Sequence, residues 1–244
     1  TREGSCRGRA KGASLRGLQH RERIAETLAV LSDVRDELVF LGGCVLGLYA
    51  ARDGSPLRVT EDVDCFSSVQ PWISQLELLG RLCSHGVLTA DLAQAQRYVV
   101  RESGLVIDVM SPDGMNVPRD KWLRRAADNA RFYPLGDGTQ VRAVAPAYFI
   151  ALKLVAFLDR GSDFRSAKDM EDIVFVAAEC PNLLEDVQAA GIGPEIQALW
   201  TAALAKHNLS LADLPDVVDS HIGADERPRI GDVIATIEAL AAAS

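Results

Sequence analysis

The chain has no C-x-x-C pair, and its five cysteines, Cys6, Cys44, Cys65, Cys83 and Cys180, are odd in number and scattered. A structural zinc site and a disulfide framework are therefore not expected; reduced thiols in a cytoplasmic setting are. No run of about 18 uncharged apolar residues occurs, so no transmembrane helix is expected. The opening stretch, TREGSCRGRAKGASLRG, lacks the apolar centre of a secretory signal. It is basic and rich in Gly and Ser, and residues 1–16 are expected to form a disordered basic arm. The four histidines, His20, His85, His207 and His221, show no metal-ligand spacing. Net positive charge is also missing. A formal charge of −8 argues against a dedicated non-specific DNA binder, although a local basic groove remains compatible with it. No internal repeat is present.

What is there is ordinary for a soluble globular protein: 48% hydrophobic and 25% charged residues. A length of 244 residues suffices for one full core and a second, smaller one. Apolar spacing predicts a helix over 17–36, a buried strand over 38–41, a short helix over 45–51 and a strand over 59–66. A helix follows from 71 to about 83. Two strands, 97–102 and 105–110, form a hairpin about Ser103-Gly104. A helix over 121–131 precedes a second hairpin, 131–135 with 139–144, turning at Gly136-Asp137-Gly138. From Pro146 onward the pattern is helical, with segments over 146–158 and 167–178 and an Ala/Leu-rich remainder. The class is α+β: a strand-bearing unit over 17–145, then a helical bundle over 146–244.

The chemistry concentrates in 38–66, LVFLGGCVLGLYAARDGSPLRVTEDVDCF. Gly42-Gly43 follows a strand and precedes a helix, where backbone N–H groups can hold a phosphate. Asp62 and Asp64 are two apart on a strand and so share a face. A third acid, Asp108, sits in the apolar run LVIDVM with no basic residue close to it in sequence. A buried carboxylate is costly unless paired or metal-bound. If the two strands are neighbours, three acids converge, and such oxygens suit Mg²⁺ with substrate phosphates. The alternative is that Asp62 is a solvated strand-edge charge and Asp108 caps a turn. A one-residue slip in register would turn Asp62 and Asp64 away. Arg58 is either a phosphate clamp or a loop charge. Lys153 lies on an apolar helix, as a functional cation or as a snorkelling core-edge residue. Asp169 and Asp172 share a helix face by their i,i+3 spacing.

Taken together, these residues resemble the nucleotidyltransferase superfamily with the polymerase-beta-like fold. Gly42-Gly43, Asp62-Val63-Asp64 and Asp108 match its glycine turn, D-x-D strand and third acid. The strand R-x-T-x-D-x-D from Arg58 to Asp64, and KLVAFLDRGSDFRSAKDMEDI over 153–173, are similar to the abortive-infection AbiEii-type toxin nucleotidyltransferases. The resemblance spans roughly residues 38–175. The gap between Gly43 and Asp62 is longer than in the minimal members of the superfamily.

The resemblance implies a mixed-sheet nucleotidyltransferase fold followed by a C-terminal helical bundle. It implies that Asp62, Asp64 and Asp108 bind Mg²⁺, with two ions, and that Asp108 could serve as base. Lys153 would contact the triphosphate, and Asp169 or Asp172 would orient Lys153 or the nucleotide. The activity expected is Mg²⁺-dependent transfer of a nucleoside monophosphate from NTP to an acceptor hydroxyl. The acceptor could be RNA, such as a tRNA end, in a toxin with a cognate antitoxin. A small-molecule (antibiotic) acceptor, a non-catalytic nucleotide- or partner-binding module, and a metal-dependent phosphohydrolase are the competing expectations.

Overall fold

The computed structural model describes residues 7–50, 57–67, 72–91, 93–94, 96–110, 118–136, 138–161, 163–222 and 227–242. The described residues form two compact units. The first runs to Leu48 and resumes from Leu57 to Ala145; the second comprises Tyr49, Ala50 and the chain from Pro146 onward.

The first unit is built on a seven-stranded mixed sheet. Its strands are β1 (Leu38–Leu41), β2 (Asp62–Ser67), β3 (Leu88–Ala90), β4 (Arg97–Val100), β5 (Val106–Met110), β6 (Arg131–Pro134) and β7 (Gln140–Ala143). Their spatial order is β3-β4-β5-β2-β1-β7-β6. The β2–β5 and β1–β7 pairs are parallel; β1–β2, β3–β4, β4–β5 and β6–β7 are antiparallel. The central strands are buried, as their apolar runs require: all four residues of β1, with Val63, Cys65, Phe66 and Ile107, belong to the core. Helices α1 (Arg7–Val30), α2 (Leu46–Tyr49), α3 (Trp72–Ser84) and α4 (Pro118–Asp128) complete the elements up to residue 145.

The helical unit contains α5 (Pro146–Arg160), α6 (Lys168–Glu179), α7 (Leu183–Ala189), α8 (Gly193–Lys206), α9 (Leu214–His221) and α10 (Ile230–Ala242). Its core includes Phe149, Phe157, Phe164, Ile173, Trp200 and Ile237. The Phe157 and Phe164 rings lie 4.6 Å apart, and Phe164 stacks on Trp200 at 6.5 Å. Tyr49 meets Phe149 edge-on at 5.6 Å.

Several boundaries differ from the expectations. The arm expected to be disordered over 1–16 is helical from Arg7. Its Ala, Arg, Lys and Leu residues are good helix formers, and this local preference prevails over the glycines. Residues 1–6 lie outside the described residues. The first helix stops at Val30, and a 3₁₀ turn, Ser32–Glu37, takes over. Ser and Asp compete for backbone bonds there. The helix expected over 45–51 is a 3₁₀ turn, Gly43–Val45, running into the single turn of α2. The strand expected from residue 59 begins at Asp62, because its partners give out there: Asp62 faces Val106, the first residue of β5, and Asp64 faces Leu41, the last of β1.

Candidate active site

Strands β5, β2 and β1 lie side by side at the middle of the sheet and bring the candidate acids together. Asp64 is in register with Asp108 on one side and with Leu41 on the other. Asp62 lies two residues back on the face of Asp64. Val63 and Cys65 occupy the opposite face and are fully buried. That burial sets the register that the sequence leaves open, since a slip would drive two acids into an apolar layer.

The glycine turn has two separate reasons to be glycine. Gly42 has φ +70°, which non-glycine residues rarely adopt. A Cβ there would also overlap Asp64 Oδ2 and stand 2.7 Å from its Cγ. A Cβ on Gly43 would overlap the Arg58 guanidinium, with Cζ at 3.0 Å and Thr60 Oγ1 at 3.2 Å. The turn is therefore a cradle: one glycine makes room for a carboxylate, the next for a cation. Thr60, itself buried, donates its hydroxyl to Asp62 Oδ1 at 3.0 Å.

Asp108 does have a basic partner. Arg97 of β4 stands directly across from it in the antiparallel ladder. Its Nε donates to Asp108 Oδ1 at 2.9 Å and its Nη2 to Oδ2 at 2.7 Å, a two-pronged pairing. The same Nη2 reaches Asp62 Oδ2 at 3.3 Å. The Asp108 side chain is 7% exposed, against 38% for Asp62. Donating to Asp108 pushes the Arg97 pKa upward, so the guanidinium stays charged. Sequence reasoning overlooked Arg97 and Thr60. A turn at Ser103-Gly104 alone would set Val99 opposite Asp108; the hairpin instead turns through 101–104, and this shift in register brings Arg97 opposite Asp108.

Hard carboxylate oxygens fit Mg²⁺ in chemistry. Asp62 and Asp64 share a face as such a pair would need, but Asp108 has both oxygens bound to Arg97. Among the described residues, no group of three or more His, Cys, Asp or Glu side chains is arranged to hold a metal ion. Asp62 and Asp64 thus offer oxygens that fit such an ion, and Asp108 differs from them in its pairing with Arg97.

Cys44 and Cys65 are fully buried beside these acids. Burial first, then the charge of Asp64, raises both thiol pKa values. They are packing groups rather than nucleophiles.

In the helical unit, Lys153 projects from α5 toward two acids of α6. Its Nζ lies 2.6 Å from Asp172 Oδ2 and 3.4 Å from Asp169 Oδ1. Arg160 Nη1 pairs with Asp169 at 2.8 and 3.0 Å. The i,i+3 spacing of Asp169 and Asp172 therefore brackets one ammonium. Lys153 is a held cation in this unit, with its side chain 12% exposed, rather than a snorkelling lysine reaching for water. Lys168 is exposed at the start of α6.

No relative was found among curated proteins. Among solved structures, the chain matches the crystal structure of an antigenic nucleotidyltransferase-like protein from Paracoccidioides brasiliensis. The match has 16% identity and a TM-score of 0.49, and covers 84% of this chain and 95% of the other. The family model described as the nucleotidyl transferase AbiEii toxin of type IV toxin–antitoxin systems matches residues 23–229. With the match running through both units, the chain belongs to the AbiEii toxin family and is a nucleotidyltransferase.

Proposed function

We propose that this nucleotidyltransferase is Mg²⁺-dependent and moves a nucleoside monophosphate from an NTP to a hydroxyl of RNA. In the reaction, the acceptor oxygen bonds to the α-phosphorus as its hydroxyl proton passes to water, the bond from the α-phosphorus to the bridging oxygen breaks, and pyrophosphate leaves with that electron pair. The observation that carries the reading is the central-strand arrangement: Asp62 and Asp64 on one face, with Asp64 against Gly42 and Arg58 against Gly43. Asp62 and Asp64 would hold the ion, which when bound neutralises phosphate charge and polarises the α-phosphate. Arg58, beside the glycine turn, would meet a phosphate. Lys153 is assigned to the triphosphate by the resemblance. Its positive charge is what that role requires; within the helical unit the ammonium is held by Asp172 and Asp169.

The toxin family supports a cognate antitoxin as the functional partner. No helix among the described residues is long and apolar enough to cross a membrane.

Incubation with α-labelled nucleoside triphosphates, Mg²⁺ and total RNA tests the proposal. The expected outcome is label in an RNA band, lost on adding EDTA. Label appearing only as free nucleoside monophosphate would instead indicate hydrolysis, and label on a small molecule would name a different acceptor.

One observation favours a second reading, a nucleotide-binding module without transfer. Arg97 pairs with Asp108 and also touches Asp62, so a cation of the chain itself already answers these acids. Mg²⁺-dependent NTP binding with no pyrophosphate release, over a range of acceptors, would support it.

A further inference from the structure

The three acids are not equivalent, and Arg97 is what makes them differ. Its bond to Asp108 is double, short and set by strand register. Its contact with Asp62 is single and longer, at 3.3 Å, on a half-exposed carboxylate. Two charge-assisted bonds in a buried setting are far harder to break than one partly solvated contact. An arriving divalent cation must therefore displace Arg97 from Asp62, while Asp108 remains bound to it.

We propose that Arg97 is a positioning residue that withholds Asp108 from the metal and competes with the metal for Asp62. The ion then bound by the nucleotide-free protein rests on Asp62 and Asp64, and only one ion binds. Asp108 acts through Arg97, keeping its charge beside the pair. Arg97 also supplies a positive group where substrate phosphates would approach. The inference rests on the metal-dependent reading above.

The test is Mn²⁺ binding to the nucleotide-free protein, followed by electron paramagnetic resonance, with Mn²⁺ as the probe. The variants are Asp62→Asn, Asp64→Asn and the double variant Arg97→Gln/Asp108→Asn. The double variant avoids leaving a buried charge unpaired. Wild type is expected to bind one Mn²⁺. Each single variant is expected to weaken binding at least tenfold. The double variant is expected to bind at least threefold more tightly, because the competitor for Asp62 is gone. Unchanged or weaker binding by the double variant, or two ions in wild type, overturns the inference but leaves metal dependence standing. No binding by wild type and by the double variant overturns both.

A second measurement needs no folded variant beyond an assignment control. The Arg97 Nε–H resonance of the wild type, identified by its loss in Arg97→Lys, is followed through a Mg²⁺ titration. Retention of a slowly exchanging signal is expected. Its disappearance as metal binds would mean that Asp108 leaves Arg97 to become a ligand, contrary to the proposal.

Discussion

Gly42 and Gly43 show how much one missing Cβ can decide. Gly42→Ala must place an L side chain at positive φ and also expel the Asp64 carboxylate. The expected loss is about 1–3 kcal/mol from the backbone alone, with further loss from the displaced acid. Gly80 is the control. It lies within α3, where an added Cβ meets nothing within 4 Å. Gly80→Ala should raise stability by about 0.5–1 kcal/mol. Paired urea melts of the two variants should move in opposite directions, and a shift in the same direction would contradict the cradle. The buried cysteines give a second test at this scale. With raised thiol pKa values, Cys44 and Cys65 should escape alkylation at neutral pH in the native protein and react on unfolding. Peptide mass spectrometry checks this, with the less buried Cys83 and Cys180 as internal references.

At the scale of elements, the α5–α6 pair depends on a buried charge cluster. Lys153→Met would leave Asp172, with 0% side-chain exposure, without its closest cation. A loss of about 3–5 kcal/mol is expected for such a broken pair. Lys153→Met/Asp172→Asn should recover part of it, because the stranded charge is then gone. Thermal melts of both variants decide the point. Another element-scale case is the capping box of Ser210 and Asp213 ahead of α9. Bonds from the Ser210 backbone and hydroxyl lower the Asp213 pKa. A depressed folded pKa means stabilisation present above the unfolded carboxylate range and lost as pH falls through the folded value. Ser210→Ala should therefore lower the melting temperature at neutral pH, and by less in acid.

Elements are also where legibility in the sequence can be judged. The hairpins around Ser103-Gly104 and Gly136–Gly138, the buried strand β1 and the Pro146 helix all announce themselves through alternation, turn residues or apolar period. β3 does not, because three residues carry no period. The start of β2 is not legible, because it is set by where its partners β1 and β5 end, at Leu41 and Val106. The candidate acids were visible by type and spacing. Their inequality was not, since it depends on cross-strand register, which pairs Arg97 with Asp108 and leaves Asp64 against Gly42. Register is a tertiary property, set by which face is buried.

At the scale of the whole molecule, the family match runs across the sheet-bearing and the helical unit alike. Each unit carries its own set of charges that are expensive to keep out of water. In the first, acids are answered by Arg97; in the second, a lysine is answered by two acids. The net charge of −8 makes the acceptor question sharper. An RNA must be met by local cations rather than by a broad basic surface, so transfer to RNA is expected to fall as salt rises, with a slope set by the few phosphates those cations meet. Labelled-RNA yield at rising ionic strength, with pyrophosphate release measured beside it, checks this. Salt-insensitive transfer would favour a small acceptor.

The most direct test of the central claim is pyrophosphate release by wild type and by Asp64→Asn, with Mg²⁺, NTP and total RNA, after circular dichroism has shown both proteins folded. Asp64 is the residue common to the glycine cradle, the D-x-D strand and the register with Asp108. The account predicts Mg²⁺-dependent release by wild type and a loss of at least about a hundredfold in the variant, the scale of removing one transition-state contact. Release by Asp64→Asn at the wild-type rate would contradict it.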